Sequence, residues 1–112
     1  MEIQSAKIDE VTIIKPLAKR IDASVATEFK GKIVDTINAG NFRIVLDLSN
    51  VAFIDSSGLG AIISSLKTIG GNGDLVICGM NETVMGLFKL TRMNLVFRIF
   101  STQPEAIQAL AG

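Results

Sequence analysis

The pattern of apolar residues alternates along the chain between short strand-like runs and helical spacings. Residues 3–8 and 11–14 are two β-prone runs around Asp9-Glu10, which predicts a hairpin. A nearly continuous apolar run at residues 42–48 predicts a strand that is covered on both faces. Two further strands are predicted at residues 75–78 and 96–100, each of them between helical segments.

The first helix is predicted over residues 23–39, with Asp22 as its N-cap and Gly40 at the position that ends it. Its apolar residues recur at every fourth position, so they share one face of the helix. These residues are Val25, Phe29, Ile33 and Ile37.

Three more helices are predicted in the second half of the chain. One begins after the turn at residues 55–60 and runs to Ile69. Asn81 is placed to cap the next, and Thr102 opens a capping-box pattern before the last, which ends near Leu110. In the helix after the turn the apolar positions have helical spacing: Leu59, Ile62, Ile63, Leu66 and Ile69.

The elements therefore follow the order ββαβαβαβα. Strands that alternate with helices imply right-handed crossovers and parallel neighbours. The predicted fold class is α/β, with a single mixed, mostly parallel sheet of about five strands and about four helices. No long linker or repeat interrupts the pattern, so we expect one domain over residues 1–112.

Charge and composition exclude several classes of partner. The chain has 11 Lys and Arg and 11 Asp and Glu, so its formal net charge is zero. This balance predicts no general attraction to nucleic acid or to a membrane surface. No apolar stretch reaches the roughly 18 residues of a membrane span, and the first residues do not resemble a signal peptide. We expect a cytoplasmic protein without membrane insertion.

The residues that carry most catalytic chemistry are few. The sequence has no His, which removes Ser-His-Asp and Cys-His catalysis and the commonest transition-metal ligand. The single Cys78 lies in a predicted strand and is interpreted as a core thiol. Asp22, Asp47 and Asp55 could meet at one edge of the sheet, but three scattered carboxylates are weak support for a metal site. We predict neither a metal nor a cofactor.

A motif at residues 55–60 stands where a strand turns into a helix. In α/β sheets functional loops gather at the carboxyl ends of the parallel strands. Two interpretations of Ser56 remain open: it caps the helix, or it carries a phosphate beside the free N–H groups of the helix start. Gly60, inside the first helical turn, serves either close helix packing or close approach by another molecule. The residues are Asp55, Ser56, Ser57, Gly58, Leu59 and Gly60.

The same motif argues against an enzyme. It is not the Gly-x-Ser-x-Gly nucleophile elbow, and the chain contains no P-loop. Without a His, no general base for Ser56 is evident other than Asp55 or Asp22. We therefore expect no catalytic activity.

Residues 44–60 resemble the signature of STAS domains, and more narrowly that of the bacterial anti-anti-sigma factors (anti-sigma factor antagonists). Asp22 before the first helix, Gly70-Gly71 before the strand at residues 75–78 and the closing segment at residues 105–110 agree in order. The resemblance covers nearly the whole chain. It implies the STAS fold.

The resemblance also implies a function. Ser56 corresponds to the serine that a Ser/Thr kinase-type anti-sigma factor phosphorylates, and a PP2C-type phosphatase reverses the modification. The unmodified protein is then expected to bind the anti-sigma factor, and the phosphorylated protein to release it. Asp22, Asp55 and Ser57 would surround the site, and Gly58, Leu59 and Gly60 would complete the contact loop. The alternative is a non-catalytic STAS scaffold or ligand-binding module, for example a subunit of a lipid or anion transporter or of a sensory complex.

Two surfaces are candidates for contact with a partner. The outer side of the second helix is expected to present Ser64, Ser65, Lys67 and Thr68. Met93, Leu95 and Phe97 alternate in the sequence, which fits either an exposed apolar patch or a strand end in the core. The segment 92–94 departs from the family pattern, which often has Gly between the third helix and the last strand.

Overall fold

The computed structural model of this chain describes residues 1–111. They contain seven strands and four α-helices. The strands are β1 (Ile3–Ile8), β2 (Val11–Pro16), β3 (Arg20–Ile21), β4 (Arg43–Asp47), β5 (Phe53–Ile54), β6 (Asp74–Cys78) and β7 (Ile99–Phe100). The helices are α1 (Ala26–Asn38), α2 (Ser56–Ile69), α3 (Glu82–Leu90) and α4 (Gln103–Ala111).

The main sheet has the strand order β1-β2-β4-β6-β7. β1 pairs antiparallel with β2, and the other neighbours are parallel. The hairpin turns at Asp9 and Glu10, whose φ values of 50° and 65° match the tight turn that joins two antiparallel strands. The predicted mixed, mostly parallel five-stranded sheet with four helices is confirmed. β3 and β5 form a separate two-stranded sheet, which the sequence pattern did not predict.

The sheet is covered on both faces, as the apolar run at residues 42–48 predicted. One face packs against α1, α2 and α3, with Ile44 and Leu46 fully buried. The other face packs against α4, with Val45, Ala106 and Leu110 in one buried cluster. Alternate residues of β4 therefore belong to two different core clusters.

The start of α1 differs from the prediction. Asp22 does not cap the helix, which begins only at Ala26 and has no side-chain cap at Val25. The Asp22 carboxylate instead accepts from the N–H and the hydroxyl of Ser24, at 3.0 and 2.6 Å. Ser24 offers two donors within reach of one oxygen, so a turn forms before the helix. The end of α1 is as predicted, with Gly40 at a φ of 97°.

The C-terminal third confirms two caps and corrects one strand. Asn81 accepts from the N–H of Val84 at 2.8 Å, as its N-cap position predicted. Thr102 contacts Glu105 through its hydroxyl at 2.9 Å at the start of α4. The last strand is only two residues long, because Met93–Leu95 form a 3-10 turn. Among residues 1–111 no helix has the length and apolar character that crossing a bilayer requires.

Candidate functional site

The predicted site loop is held by the small sheet of β3 and β5. Ile21 pairs with Ile54 in parallel register, and the N–H of Asp55 donates to the carbonyl of Ile21 at 3.2 Å. The residues that follow the two strands, Asp22 and Asp55, therefore stand side by side. This pairing brings the predicted acidic residue and the predicted serine loop to one place.

Sequence reasoning missed this sheet because a two-residue strand shows no periodicity. One signal was available: the dipeptide Ile-Asp, which also ends the first hairpin strand at residues 8–9, precedes two predicted helices, at residues 21–22 and 54–55. Before these helices each Ile is buried and each Asp begins a turn or a helix, whereas Ile8 is exposed. A repeated Ile-Asp before two predicted helices thus indicates two matching strand ends.

Asp55, and not Ser56, caps α2. Asp55 has extended backbone angles and accepts from the N–H of Gly58 through its carboxylate at 3.0 Å. Ser56 is the first residue of the helix, and both Ser56 and Ser57 are exposed. The interpretation of Ser56 as the helix cap is therefore wrong. A carboxylate one residue earlier already fills that role, so the Ser56 hydroxyl is not needed to start the helix.

The two glycines of the motif differ in what surrounds them. A Cβ added to Gly58 would collide with the carbonyl oxygen of Ile21 and would lie 2.6 Å from a side-chain carbon of Ile54. Gly58 therefore lets α2 pack tightly on the small sheet. A Cβ added to Gly60 would meet no atom within 4 Å. The packing explanation for Gly60 is thus excluded, and close approach by another molecule is the one that remains.

Leu59 lies inward. Its side chain is only 4% exposed and belongs to the core cluster on the α1–α3 side of the sheet. It therefore anchors the first turn of α2 in the core. Ser56, Ser57 and Gly60 are exposed to solvent. Of the predicted contact loop, the serines and Gly60 form the accessible part.

The electrostatics of the loop combine two carboxylates with one nearby cation. Hydrogen bonds from the hydroxyl and the N–H of Ser24 lower the pKa of Asp22, and Arg20 lowers it further. The Arg20 side chain lies over the ring of Phe53 at 4.5 Å and its Nε is 3.8 Å from the Asp22 carboxylate. Arg20 was not predicted as a site residue, because its position depends on the unpredicted β3–β5 pair.

The start of α2 is suited to a negative group. In residues 1–111 the main-chain N–H groups of Ser56 and Ser57 have no acceptor, and the first turn carries no acidic side chain. These N–H groups and the helix dipole favour an anion by up to about 1 kcal/mol. The exposed hydroxyl of Ser56 is therefore a chemically reasonable acceptor for a phosphoryl group.

A model of the STAS domain matches residues 2–106. The chain belongs to the STAS family. A candidate anti-sigma factor antagonist of Thermotoga maritima is 34% identical to it over 103 residues, which are 90% of each chain. The anti-sigma-B factor antagonist of Staphylococcus epidermidis is 27% identical over 92 residues, 81% of this chain and 84% of the relative.

Solved STAS structures have the same fold. The crystal structure of the candidate Thermotoga maritima antagonist superposes with a TM-score of 0.90 at 30% identity, and covers 98% of this chain and 95% of that one. The antagonist SpoIIAA in its unphosphorylated form has a TM-score of 0.75 at 21% identity, with 99% of each chain covered. The STAS fold predicted from residues 44–60 is thereby confirmed.

The other carboxylate considered for a metal site lies elsewhere. Asp47 is buried at the end of β4, where it accepts from the N–H of Ser49 at 2.9 Å and from the side chain of Gln103 at 2.7 Å. It does not join Asp22 and Asp55. In the part of the STAS chain that the structure describes, no cluster of three His, Cys, Asp or Glu could hold a metal ion.

Cys78 is a core thiol, as predicted. It is fully buried, and burial together with the Asp47 charge raises its pKa to about 12. A thiol that stays protonated is a poor nucleophile. Cys78 therefore supplies no reactive group to the site.

The outer side of α2 is less polar than predicted. Ser65 is buried and its hydroxyl donates to the carbonyl of Ala61 at 2.8 Å, so it is not a surface residue. Its polar atom is satisfied by the preceding helical turn, which is how a Ser lies in a helix core. Lys67 and Thr68 are exposed, and Ser64 is half-buried.

Proposed function

We propose that this STAS protein is an anti-sigma factor antagonist in a partner-switching module. Its unphosphorylated form binds and sequesters a Ser/Thr kinase-type anti-sigma factor in the cytoplasm. That kinase phosphorylates Ser56, which releases the complex, and a PP2C-type phosphatase restores the free hydroxyl. The protein itself is not an enzyme and uses no cofactor. One observation carries the proposal: Ser56 is exposed at the first residue of α2, while Asp55 caps that helix.

The relatives support this assignment. The Staphylococcus epidermidis protein is named as an anti-sigma-B factor antagonist. SpoIIAA has been solved in its unphosphorylated and its phosphorylated form, and this chain matches the two with TM-scores of 0.75 and 0.73. In SpoIIAA the fold is therefore present in both states. A switch that leaves the fold in place is the behaviour that we propose for this chain.

The physical basis is a charge that the helix tolerates and the partner rejects. Phosphorylation adds −1.5 to −2 charges, which the N–H groups at the start of α2 accommodate. A partner surface that fits a neutral hydroxyl must instead remove water from the phosphate while it lies next to the carboxylates of Asp22 and Asp55. If burying the phosphate in the complex costs about 3 kcal/mol, binding of the partner weakens roughly a hundredfold. Such a difference is enough to exchange one partner for another.

The same two carboxylates weigh against the scaffold or ligand-binding alternative. A free anionic ligand at the start of α2 would meet the charges of Asp22 and Asp55 without a covalent bond to hold it. A phosphate on Ser56 is held by its covalent bond, so it stays in place despite this repulsion. The loop is thus better suited to a covalent phosphoryl group than to a diffusible nucleotide or lipid phosphate.

The test is incubation with the candidate kinase-type anti-sigma factor and ATP, followed by mass mapping. We expect one phosphate on Ser56 and loss of the complex. Ser56→Ala should fold, bind the partner and resist release, and Ser56→Asp should bind about a hundredfold more weakly. Ser57→Ala is the matched control, because it removes the neighbouring exposed hydroxyl and should still be phosphorylated. Stoichiometric phosphorylation of Ser56→Ala, or equal affinity of both forms, would contradict the proposal.

A further inference from the structure

Three large apolar side chains are exposed within seven residues near the end of α3. Leu90, Leu95 and Val96 are 82, 75 and 54% exposed. In the described residues only two other large apolar side chains, Ile8 and Phe42, are exposed, each to less than half. This concentration is unusual for a small soluble domain and is typical of an interaction surface.

The same segment carries positive charge only. Lys89 and Arg92 are exposed, and no Asp or Glu lies between Glu82 and Glu105. Arg98 is exposed too, but its guanidinium lies over the ring of Phe100 on the α4 side of the sheet, so it is not part of this surface. The chain as a whole is neutral, so this region is a local basic surface. We call it the basic–apolar patch; it comprises Lys89, Leu90, Arg92, Leu95 and Val96.

The backbone of the patch is ordered. The buried rings of Phe88 and Phe97 meet edge to face at 5.9 Å and fix both ends of the segment. Between them the N–H of Leu95 donates to the carbonyl of Arg92 at 3.2 Å, and further turn bonds follow. The apolar side chains are therefore presented by a fixed surface and not by a frayed loop.

Arg92 has a conformation that favours glycine. Its φ of 61° and ψ of 18° lie in the left-handed region, where a side chain is strained. Gly would turn the chain here at lower cost. The turn itself therefore does not require a long cationic side chain, and the exposed side chain of Arg92 is available to pair with a negatively charged group.

We propose that the basic–apolar patch docks an acidic amphipathic helix of a partner protein. The apolar centre would bury the hydrophobic face of that helix, and the surrounding cations would pair with its Asp or Glu side chains. A second copy of this chain fits poorly, since a two-fold contact would oppose like charges. Two cations also fall short of the roughly four to eight that typify binding to an anionic membrane.

The patch is separate from the Ser56 loop. α3 begins after the carboxyl end of β6, on the side of the sheet edge where the loop lies, and Leu90 is its last residue. The helix therefore leads away from that edge. Docking at the patch is expected to be independent of the state of Ser56, and the inference does not depend on the proposed function.

The probe is a synthetic helical peptide with a Leu face flanked by Glu, titrated into ¹⁵N-labelled protein. We expect amide shifts confined to residues 84–98. A matched peptide with Lys in place of Glu should bind about tenfold more weakly. Shifts scattered over the whole chain, or equal binding of both peptides, would overturn the proposal.

Two variants locate the effect without disturbing the fold. Arg92→Gly removes the charge and relieves the left-handed backbone, and Leu95→Ser changes an exposed side chain. Each should weaken the Glu peptide about tenfold. The matched controls are Lys30→Gln and Ile8→Ser, an exposed cation and an exposed apolar residue elsewhere, which should leave binding unchanged.

Two competing occupants are tested in parallel. Vesicles with 30% phosphatidylserine, probed by flotation, should not retain the protein. Sedimentation at increasing protein concentration should show no self-association that Leu95→Ser abolishes. Vesicle binding that requires Arg92, or dimers that require Leu95, would replace the proposed acidic helix with a membrane or with a second copy.

Discussion

The Ile-Asp ends of β3 and β5 begin alike and lead to different structures. At Asp55 the carboxylate reaches the N–H of Gly58, and α2 starts at the next residue. At Asp22 the carboxylate accepts a hydrogen bond from the hydroxyl of Ser24, and α1 starts only at Ala26. Both segments carry Ser two residues after the Asp, so the residue type at that position does not make the difference. What differs is the donor: Ser24 donates to Asp22 through its N–H and hydroxyl, whereas Asp55 accepts from the N–H of Gly58. Because the Asp55 carboxylate accepts from the N–H of Gly58, three residues later, Ser56 and Ser57 lie between the two groups with their side chains exposed to solvent.

Gly58→Ala should break this arrangement most strongly. The added Cβ meets the Ile21 carbonyl, so α2 must move away from the small sheet. We expect the free energy of unfolding to fall by about 1–3 kcal/mol in urea titrations. Gly86→Ala in α3, where a Cβ meets nothing within 4 Å, is the matched control and should not destabilise. An unchanged stability of Gly58→Ala would show that the close packing is not needed.

Removal of the Asp55 cap of α2 should have the next largest effect on the free energy of unfolding. Asp55→Ala leaves the Gly58 N–H without its acceptor and should lower the free energy of unfolding by about 1 kcal/mol. Hydrogen exchange of the first-turn amides of α2 should accelerate with it. Asp22→Ala should have a smaller effect, because its carboxylate caps a turn and not a helix. Equal losses for the two variants would contradict the comparison.

Gly60→Ala separates stability from binding. Ala is the better helix former and has room here, so the free energy of unfolding should rise by up to about 1 kcal/mol. Under the proposed function, affinity for the kinase-type partner should nevertheless fall about tenfold, since a methyl group would block close approach beside Ser56. Gly86→Ala should gain stability without losing affinity. Full affinity of Gly60→Ala would show that no partner atom approaches this position closely.

The smallest effect concerns the titration of Asp22. Its pKa is lowered mainly by the hydroxyl and N–H of Ser24, so the folded state holds the proton less tightly than the unfolded chain. This interaction stabilises the fold above the ordinary pKa of 3.8, and the stabilisation is lost as the pH falls through the native pKa. A carboxyl ¹³C titration should find a pKa below 3.8, and Ser24→Ala should raise it. A pKa that Ser24→Ala leaves unchanged would exclude this cause.

Local signals predicted most of the fold. The hairpin, the buried face of α1, the Asn81 cap and the strand β4 each follow from neighbouring residues, and all are confirmed. The last strand was predicted at residues 96–100, but only Ile99 and Phe100 pair with β6, because the N–H groups of Val96 and Phe97 donate to the carbonyl of Met93 in a turn. The alternating residues at 93–97 do not share one face, since Leu95 is exposed and Phe97 is buried.

The candidate site was harder to predict, because it depends on contacts between distant segments. The motif at residues 55–60 identified the loop, but the pairing of Ile21 with Ile54 could not be read from two isolated dipeptides. Ser56 was considered as a cap because Ser is common at helix starts. Only the geometry shows that Asp55 reaches Gly58 first.

The small sheet under the serine loop is held by main-chain atoms. The carbonyl of Lys19 accepts from the N–H groups of Ala52 and Phe53, while the side chains of Lys19 and Ala52 are exposed. Side-chain changes at these two positions therefore alter the exposed surface of the small sheet and leave in place the main-chain hydrogen bonds that support the serine loop.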